Sequence, residues 1–311
     1  MQRSLLVPGF TLLAMLIASL SMAAQESGKP SKQLLEPPKG GIHWARGHQP
    51  PASAGSNPDM TWHGGPILPT SKTSAIFWGT SWANSTFVKD KIAGLDSWYK
   101  GVGGSSYGAT TDEYTGPNST RVSDSITYLG HHVDTSPAPL RAPKTSAILN
   151  EVCKVIPTAQ LVSNGFYAVY VDTPRKNAGY CAWHSAASCS GVPVQFAFFF
   201  NLDGDAGCDP GSNVAGESQG LAALANVTGH ELSETRTDPR LNAWYDSSGA
   251  ENADKCAWSF VGPFVTFSNG TKWKIQGNWS NYDYDHDTGY ANLSGEKGCA
   301  DGTNVPGPYT K

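Results

Sequence analysis

The chain has 311 residues, of which 39% are hydrophobic and 15% are charged, and its formal net charge is -4. This length allows one large domain or two small ones, and the lack of a basic patch in the sequence argues against a nucleic-acid partner. The 34 glycines and 21 prolines indicate many turns and loops.

The N-terminal segment has the pattern of a secretory signal. Arg3 supplies a positive charge, residues 5–20 are almost wholly apolar, and small residues around Ala23 and Ala24 suit cleavage. A membrane anchor is the alternative, but the apolar run is short and no second one follows in the sequence. We therefore predict a signal peptide over residues 1–24. The mature protein is expected to be secreted, extracellular or periplasmic, with no membrane contact after cleavage.

The rest of the chain divides by composition into two parts. Residues 25–62 are rich in Pro, Gly, Ser and Lys, which predicts a disordered arm. Residues 63–311 are predicted to form a single domain. In it, the hydrophobic pattern predicts strands over 73–79, 123–133, 166–171 and 194–200, helices over 84–100 and 144–155, and an apolar helix that leads into His230.

The alternation of strands and helices predicts the fold class. The last two strands are continuously apolar, which indicates that both faces of the sheet are buried there. We predict an α/β fold in which a mixed sheet is flanked by helices. It would carry a zincin-like active-site helix and a short, β-rich C-terminal part.

The cysteine count indicates a disulfide framework. The six cysteines are Cys153, Cys181, Cys189, Cys208, Cys256 and Cys299. An even number in an exported chain predicts three disulfides, and a bridge from Cys256 to Cys299 would tie an acidic segment to the C-terminal part. The other four cysteines would then pair among themselves. No C-x-x-C pair occurs in the sequence, which argues against a cysteine-rich metal site.

The most informative motif is H-E-x-x-E, formed by His230, Glu231 and Glu234. Residues four apart lie on one face of a helix, so His230 and Glu234 can bind one ion. The motif differs by one residue from the H-E-x-x-H helix of zinc metalloproteases, in which the glutamate is the general base. We predict His230 and Glu234 as metal ligands and Glu231 as the catalytic base. An ordinary polar helix face is the alternative.

A zinc site of this type needs a third ligand from beyond the helix. Glu251 and Asp254 follow about twenty residues downstream, and the sequence leaves open which of them completes the set. Zinc accepts carboxylate ligands as well as imidazole, while a carboxylate-rich set also admits calcium. His184 could face the same site, but a polar pocket is the favoured interpretation for this residue.

A series of short motifs continues the H-E-x-x-E segment. They are Thr237-Asp238-Pro239, Asn242-Ala243-Trp244-Tyr245 and the run from Glu251 to Cys256. Together with Phe77-Trp78-Gly79 and Cys181-Ala182-Trp183-His184, they resemble the Exordium or phosphate-induced protein family, over about residues 65–300. Asp238 stands where plant members have Asn, and Asn252-Ala253 where they have Ile-Gly. The resemblance implies an extracellular protein with the fold of this family and implies little about the reaction. The long N-terminal arm and the bacterial-type signal indicate a microbial branch.

Two functions are consistent with these observations. The first is a secreted metal-dependent hydrolase, specifically a zinc metallopeptidase that acts on an extracellular peptide. The second is a non-enzymatic extracellular protein that binds a cell-wall polymer or glycan and holds a structural ion. An enzyme needs an open position on its ion, whereas a structural site is closed. The sequence specifies neither the substrate nor the oligomeric state.

Overall fold

The computed structural model describes residues 40–50 and 58–303, so the predicted signal peptide over 1–24 lies outside the described residues. The strands are β1 (Ile42–Trp44), β2 (Thr61–Trp62), β3 (Ser71–Trp78), β4 (Ile126–Asp134), β5 (Gly165–Pro174), β6 (Tyr180–Cys189), β7 (Val192–Asn201), β8 (Trp244–Tyr245), β9 (Val265–Thr266), β10 (Lys272–Trp273), β11 (Asn278–Trp279) and β12 (Cys299–Ala300). The helices are α1 (Ser85–Val88), α2 (Lys91–Val102), α3 (Ser106–Ala109), α4 (Thr145–Val155), α5 (Gln219–Thr237), α6 (Asn252–Lys255) and α7 (Asn281–Asp285). Short 3-10 turns lie at Thr80–Ala83, Pro117–Ser119 and Thr158–Gln160.

The centre of the fold is a six-stranded sheet with the order β1-β6-β7-β5-β3-β4. The pairs β3–β4, β3–β5 and β5–β7 are parallel, whereas β6–β7 and β1–β6 are antiparallel. The sheet is therefore mixed, and helices flank it, which confirms the predicted α/β class. Strands β5 and β7 are buried along most of their length, as their continuous apolar character predicts.

Helix α5 is buried along nearly its whole length and contacts strands β1, β6 and β7 as well as helix α2. It begins at Ser218, whose hydroxyl oxygen accepts a hydrogen bond from the backbone N–H of Leu221 at 3.2 Å. It ends before Asp238, where the carboxylate accepts hydrogen bonds from the backbone of Asn242 and Ala243. Because its burial leaves no solvent-facing side, the polar residues of this helix need partners inside the protein.

The predicted disordered arm is partly wrong. Within it, Ile42–Trp44 forms a strand that pairs with β6, and Thr61–Trp62 pairs with β8. Residues 25–39 and 51–57 of the predicted arm lie outside the described residues. The prediction failed because these strands are two or three residues long, too short for a periodic hydrophobic pattern, and they are fixed by pairing with distant segments.

Two further differences concern local structure. The sequence pattern did not predict β6, the strand that lies between β1 and β7. The predicted helix over 84–100 is divided into α1 and α2, since Lys89 adopts a φ of 48° at the junction. A residue with this positive φ cannot continue a right-handed helix, so the chain changes direction there.

All three predicted disulfides form, and the bridge between Cys256 and Cys299 is confirmed. The other bridges are Cys153–Cys189 and Cys181–Cys208, and no cysteine is free among the described residues. Three disulfides fit an exported protein. Over residues 40–50 and 58–303, helices with the length and apolarity needed to cross a membrane are absent.

Removal of the C-terminal bridge is expected to destabilise the fold. Cys256 and Cys299 are separated by 43 residues along the chain. Replacing both by Ser should lower the free energy of unfolding by about 2–5 kcal/mol, because the unfolded chain regains the freedom of that loop. Urea denaturation would measure the change, and peptide mapping without reduction would identify the bridges. Free thiols at these two cysteines in the exported parent protein would contradict the pairing.

Candidate metal centre

Helix α5 places the three residues of the H-E-x-x-E motif in the protein interior. His230, Glu231 and Glu234 are each fully buried. The Nε2 atom of His230 lies 2.9 Å from Oε1 of Glu234, as the spacing of four residues on one helix face predicts. The motif is thus not an ordinary polar helix face directed to solvent.

Helix α6 brings Asp254 to the same place. Glu251 and Asp254 form a reciprocal capping box at its start, in which the backbone N–H of Glu251 donates to Oδ2 of Asp254. The backbone N–H of Asp254 in turn donates to Oε1 of Glu234 at 3.0 Å. Oδ1 of Asp254 lies 3.5 Å from Nε2 of His230. Ligand atoms of His230, Glu234 and Asp254 all lie within 4.8 Å of one another.

Glu251, the other candidate third ligand, faces a different histidine. Its Oε2 atom lies 3.3 Å from Nε2 of His184, which is also 3.5 Å from Oε2 of Glu234. His184, on β6, therefore belongs to the cluster, and the favoured interpretation of a separate polar pocket is wrong. Glu234 connects the two halves, since one of its oxygens is directed to His230 and the other to His184.

The sequence pattern did not single out His43, which also belongs to this cluster. It lies on β1, is fully buried, and its ring stacks on that of His230 with centroids 3.9 Å apart. Ligand atoms of His43, His230 and Glu231 lie within 4.8 Å of one another, and so do those of His184, Glu231 and Glu234. The only local signal was a histidine between two apolar residues, Ile42 and Trp44.

Gln276 holds the far side of the His230 ring. Its side-chain oxygen accepts from the backbone N–H of Trp258, and its nitrogen donates to the carbonyl oxygen of Ala253 and lies 2.9 Å from Nδ1 of His230. Because an amide nitrogen only donates, Nδ1 accepts in this arrangement. The proton of a neutral His230 is then on Nε2, the atom that lies 2.9 Å from Oε1 of Glu234.

The close packing of carboxyl groups and imidazoles shifts the pKa values of these side chains. Burial disfavours the charged form of His230, but Glu234 and Asp254 outweigh it and hold the pKa of His230 well above its usual value. Burial likewise opposes ionisation of Glu234, yet His230 and His184 lower its pKa to about 2. Burial raises the pKa of Glu231 well above its usual value. Burial and the neighbouring Glu234 raise the pKa of Asp254 to about 6. A divalent cation would favour the ionised form of all these carboxyls.

Several buried oxygens in the cluster make no hydrogen bond to the described residues. They include both carboxyl oxygens of Glu231, Oε2 of Glu234 and Oε1 of Glu251. Buried polar atoms without partners are unfavourable, and a cation would supply the missing interaction. Two ligands of a tetrahedral zinc ion lie about 3.3 Å apart, and the two N···O distances from His230 of 2.9 and 3.5 Å lie on either side of this value. The residues therefore fit a metal ion.

A cleft of about 440 Å³ reaches the cluster at Asp254. The cleft is lined by several residues from 40–50, by Pro58, and by several residues from 246–257 and 292–296. The Asp254 side chain is 20% exposed, whereas those of His230 and Glu234 are wholly enclosed. Solvent thus meets the cluster at one edge.

Comparisons with known proteins give no family assignment. No family model and no curated protein matches the chain. A solved structure described as a chaperone-substrate complex is similar at 14% identity with a TM-score of 0.25, covering 53% of this chain and 23% of its own. Metalloproteinase-II from Bacteroides fragilis is similar at 8% identity with a TM-score of 0.26, covering 48% and 42%. The chain thus spans less than half of either structure, and these TM-scores support no argument about function.

Proposed function

We propose that the protein is a secreted zinc-dependent peptidase that acts on extracellular peptides. The observation that supports this most directly is the group of buried His230, buried Glu234 and partly exposed Asp254. It lies beside Glu231, whose two carboxyl oxygens have no hydrogen-bond partner among the described residues. Imidazole and carboxylate donors together favour zinc over calcium, which prefers oxygen ligands alone. Membership of the Exordium family is a separate proposal, which rests on the sequence motifs.

In this proposal each residue has a distinct role. His230, Glu234 and Asp254 hold the ion, and Glu231 takes a proton from the attacking water and later passes it to the leaving amine. Zinc, when bound, supplies a Lewis acid that polarises the scissile carbonyl. The peptide would enter through the cleft that reaches Asp254. Coordination through Nε2 of His230 moves the ring proton to Nδ1, so the Gln276 amide must turn its oxygen to the ring.

Elemental analysis and peptide cleavage test this function together. Purified full-length protein is expected to carry one zinc ion, and to cleave members of a diverse peptide library in a reaction that a chelator stops and added zinc restores. Protein without bound metal, whose melting temperature is the same with and without chelator, would contradict the metal site. Bound zinc without any peptide cleavage would support the metal site and contradict the peptidase function.

The third ligand can be identified with two matched variants. Asp254→Asn should weaken zinc binding by at least about 10-fold. Loss of a residue that only supports a ligand already weakens metal binding by about this factor, and loss of a ligand should weaken it at least as much. Glu251→Gln should bind zinc as the parent does, since Glu251 contacts His184 and not His230. Both residues cap the same helix, so the pair controls for the loss of a cap. Competition with a chelator of known affinity measures the effect, and the reverse order of affinities would assign the ligand to Glu251.

A non-enzymatic, glycan-binding protein with a structural ion is the second candidate. The specific observation in its favour is the enclosure of His230, Glu231 and Glu234, because a structural ion is closed to solvent. This candidate expects no cleavage by the parent protein under any zinc concentration.

A further inference from the structure

The pairing of β1 with β6 places two histidines on one face of the sheet. His43 lies opposite Ala182 in this antiparallel pair, two residues from His184 on β6. Because alternate residues of a strand face the same side, His43 and His184 both face helix α5. Glycine at position 41 lets strand β1 pack closely against the ring of His184, since a Cβ atom at this position would lie only 2.5 Å from that ring.

His43 has the surroundings of a ligand rather than of a hydrogen-bonded core residue. It is fully buried, and neither of its ring nitrogens makes a hydrogen bond to the described residues. Its neighbours are the rings of His230 and Trp258, at centroid distances of 3.9 and 4.7 Å. A buried imidazole whose two nitrogens have no hydrogen-bond partner is unfavourable, whereas one of these nitrogens could coordinate an ion.

The distances also suit a shared ion. One nitrogen of His43, one of His230 and one oxygen of Glu231 lie within 4.8 Å of one another. Ligand atoms of a single zinc ion are separated by at most about 4.2 Å, twice the length of a Zn–N bond. An imidazole binds an ion in the plane of its ring, so the stacked rings of His43 and His230 must turn out of their near-parallel arrangement to bind the same ion.

We propose that His43 is a further ligand of the metal ion, contributed by strand β1 from outside the predicted domain of residues 63–311. This inference rests on the metal site of the proposed function. The ligand atoms of His43 lie close to those of His230 and Glu231, so His43 would occupy the position on the ion that faces Glu231 while β1 is paired with β6. Hydrolysis then requires His43 to leave, which exposes the ion next to Glu231. The N-terminal segment is thus part of the centre and limits access to it.

The test compares zinc and cobalt binding in variants of the full-length chain. His43→Ala is expected to weaken zinc binding by at least about 10-fold in competition with a chelator. In the cobalt-substituted protein its visible absorption bands should shift, because the ion loses a nitrogen ligand. His43→Gln, which keeps a polar side chain in the cavity, should show the same losses if His43→Ala fails to fold. The control is His63→Ala, which removes an imidazole stacked at 3.6 Å on Tyr245, outside the cluster.

The outcomes separate this inference from the proposed function. Parental zinc affinity and an unchanged cobalt spectrum in the folded His43 variants would overturn the ligand role and leave the proposed function intact. A parent protein that binds neither ion would overturn both. Weaker zinc binding together with shifted cobalt bands in the His43 variants, with His63→Ala like the parent, would support His43 as a ligand.

Discussion

Substitution of His230 by Ala is expected to release the metal ion and to lower the melting temperature strongly. The change removes the imidazole that faces Glu234 and Asp254, and leaves the buried Glu234 carboxyl and the partly exposed Asp254 carboxyl without this partner. Breaking a buried ion pair by removing one partner costs about 3–5 kcal/mol. For a domain of this size that corresponds to a decrease of roughly 10 °C. Differential scanning calorimetry and elemental analysis of the same sample would measure both effects.

A second histidine serves as the control for this experiment. His286 is exposed and its ring stacks on Tyr282, so His286→Ala should keep the metal and the melting temperature of the parent. Chelator should lower the melting temperature of the parent and of His286→Ala, and should have no effect on His230→Ala. Equal responses of all three proteins to chelator would show that His230 does not hold the ion.

Substitution of Glu231 by Gln is expected to stop peptide hydrolysis while keeping the metal and the fold. Gln has the shape of Glu but cannot accept a proton, and general-base catalysis contributes typically about 10²–10⁴-fold in rate. Burial raises the pKa of Glu231, so a neutral amide is well tolerated at this position. The rate of peptide cleavage, zinc content and circular dichroism should be measured on one preparation.

The matched control is another buried glutamate. Burial raises the pKa of Glu113 to about 7, and its carboxylate accepts a hydrogen bond from the backbone N–H of Tyr282 at 3.0 Å, a bond that a Gln side chain can also accept. Glu113→Gln should therefore keep the rate of the parent. Zinc-dependent cleavage that survives in Glu231→Gln would refute the role of Glu231 as base. If the parent cleaves no peptide, the glycan-binding alternative is preferred.

The sequence by itself determined those features that depend on local periodicity and composition. Residues four apart share a helix face, so the pairing of His230 with Glu234 could be predicted from their spacing alone. The same holds for the buried strands β5 and β7, whose apolar runs indicate their position in the sheet. The number of disulfides followed from the even cysteine count, whereas the Cys256–Cys299 bridge was one of several pairings that this count allows.

Only the tertiary structure decided which residues far apart in sequence contact the motif on helix α5. His43 and His184 reach the cluster because β1 pairs with β6 in a register that sets Ile42 opposite Trp183, and no local pattern encodes such a register. The capping box of α6 turns Asp254 toward His230 and leaves Glu251 to His184, a choice that the order of two acids along the chain does not reveal. The enclosure of the cluster likewise results from packing among separate segments. Contacts between residues far apart in sequence depend on how the whole chain is folded, and so they determine both the ligand set and its access to solvent.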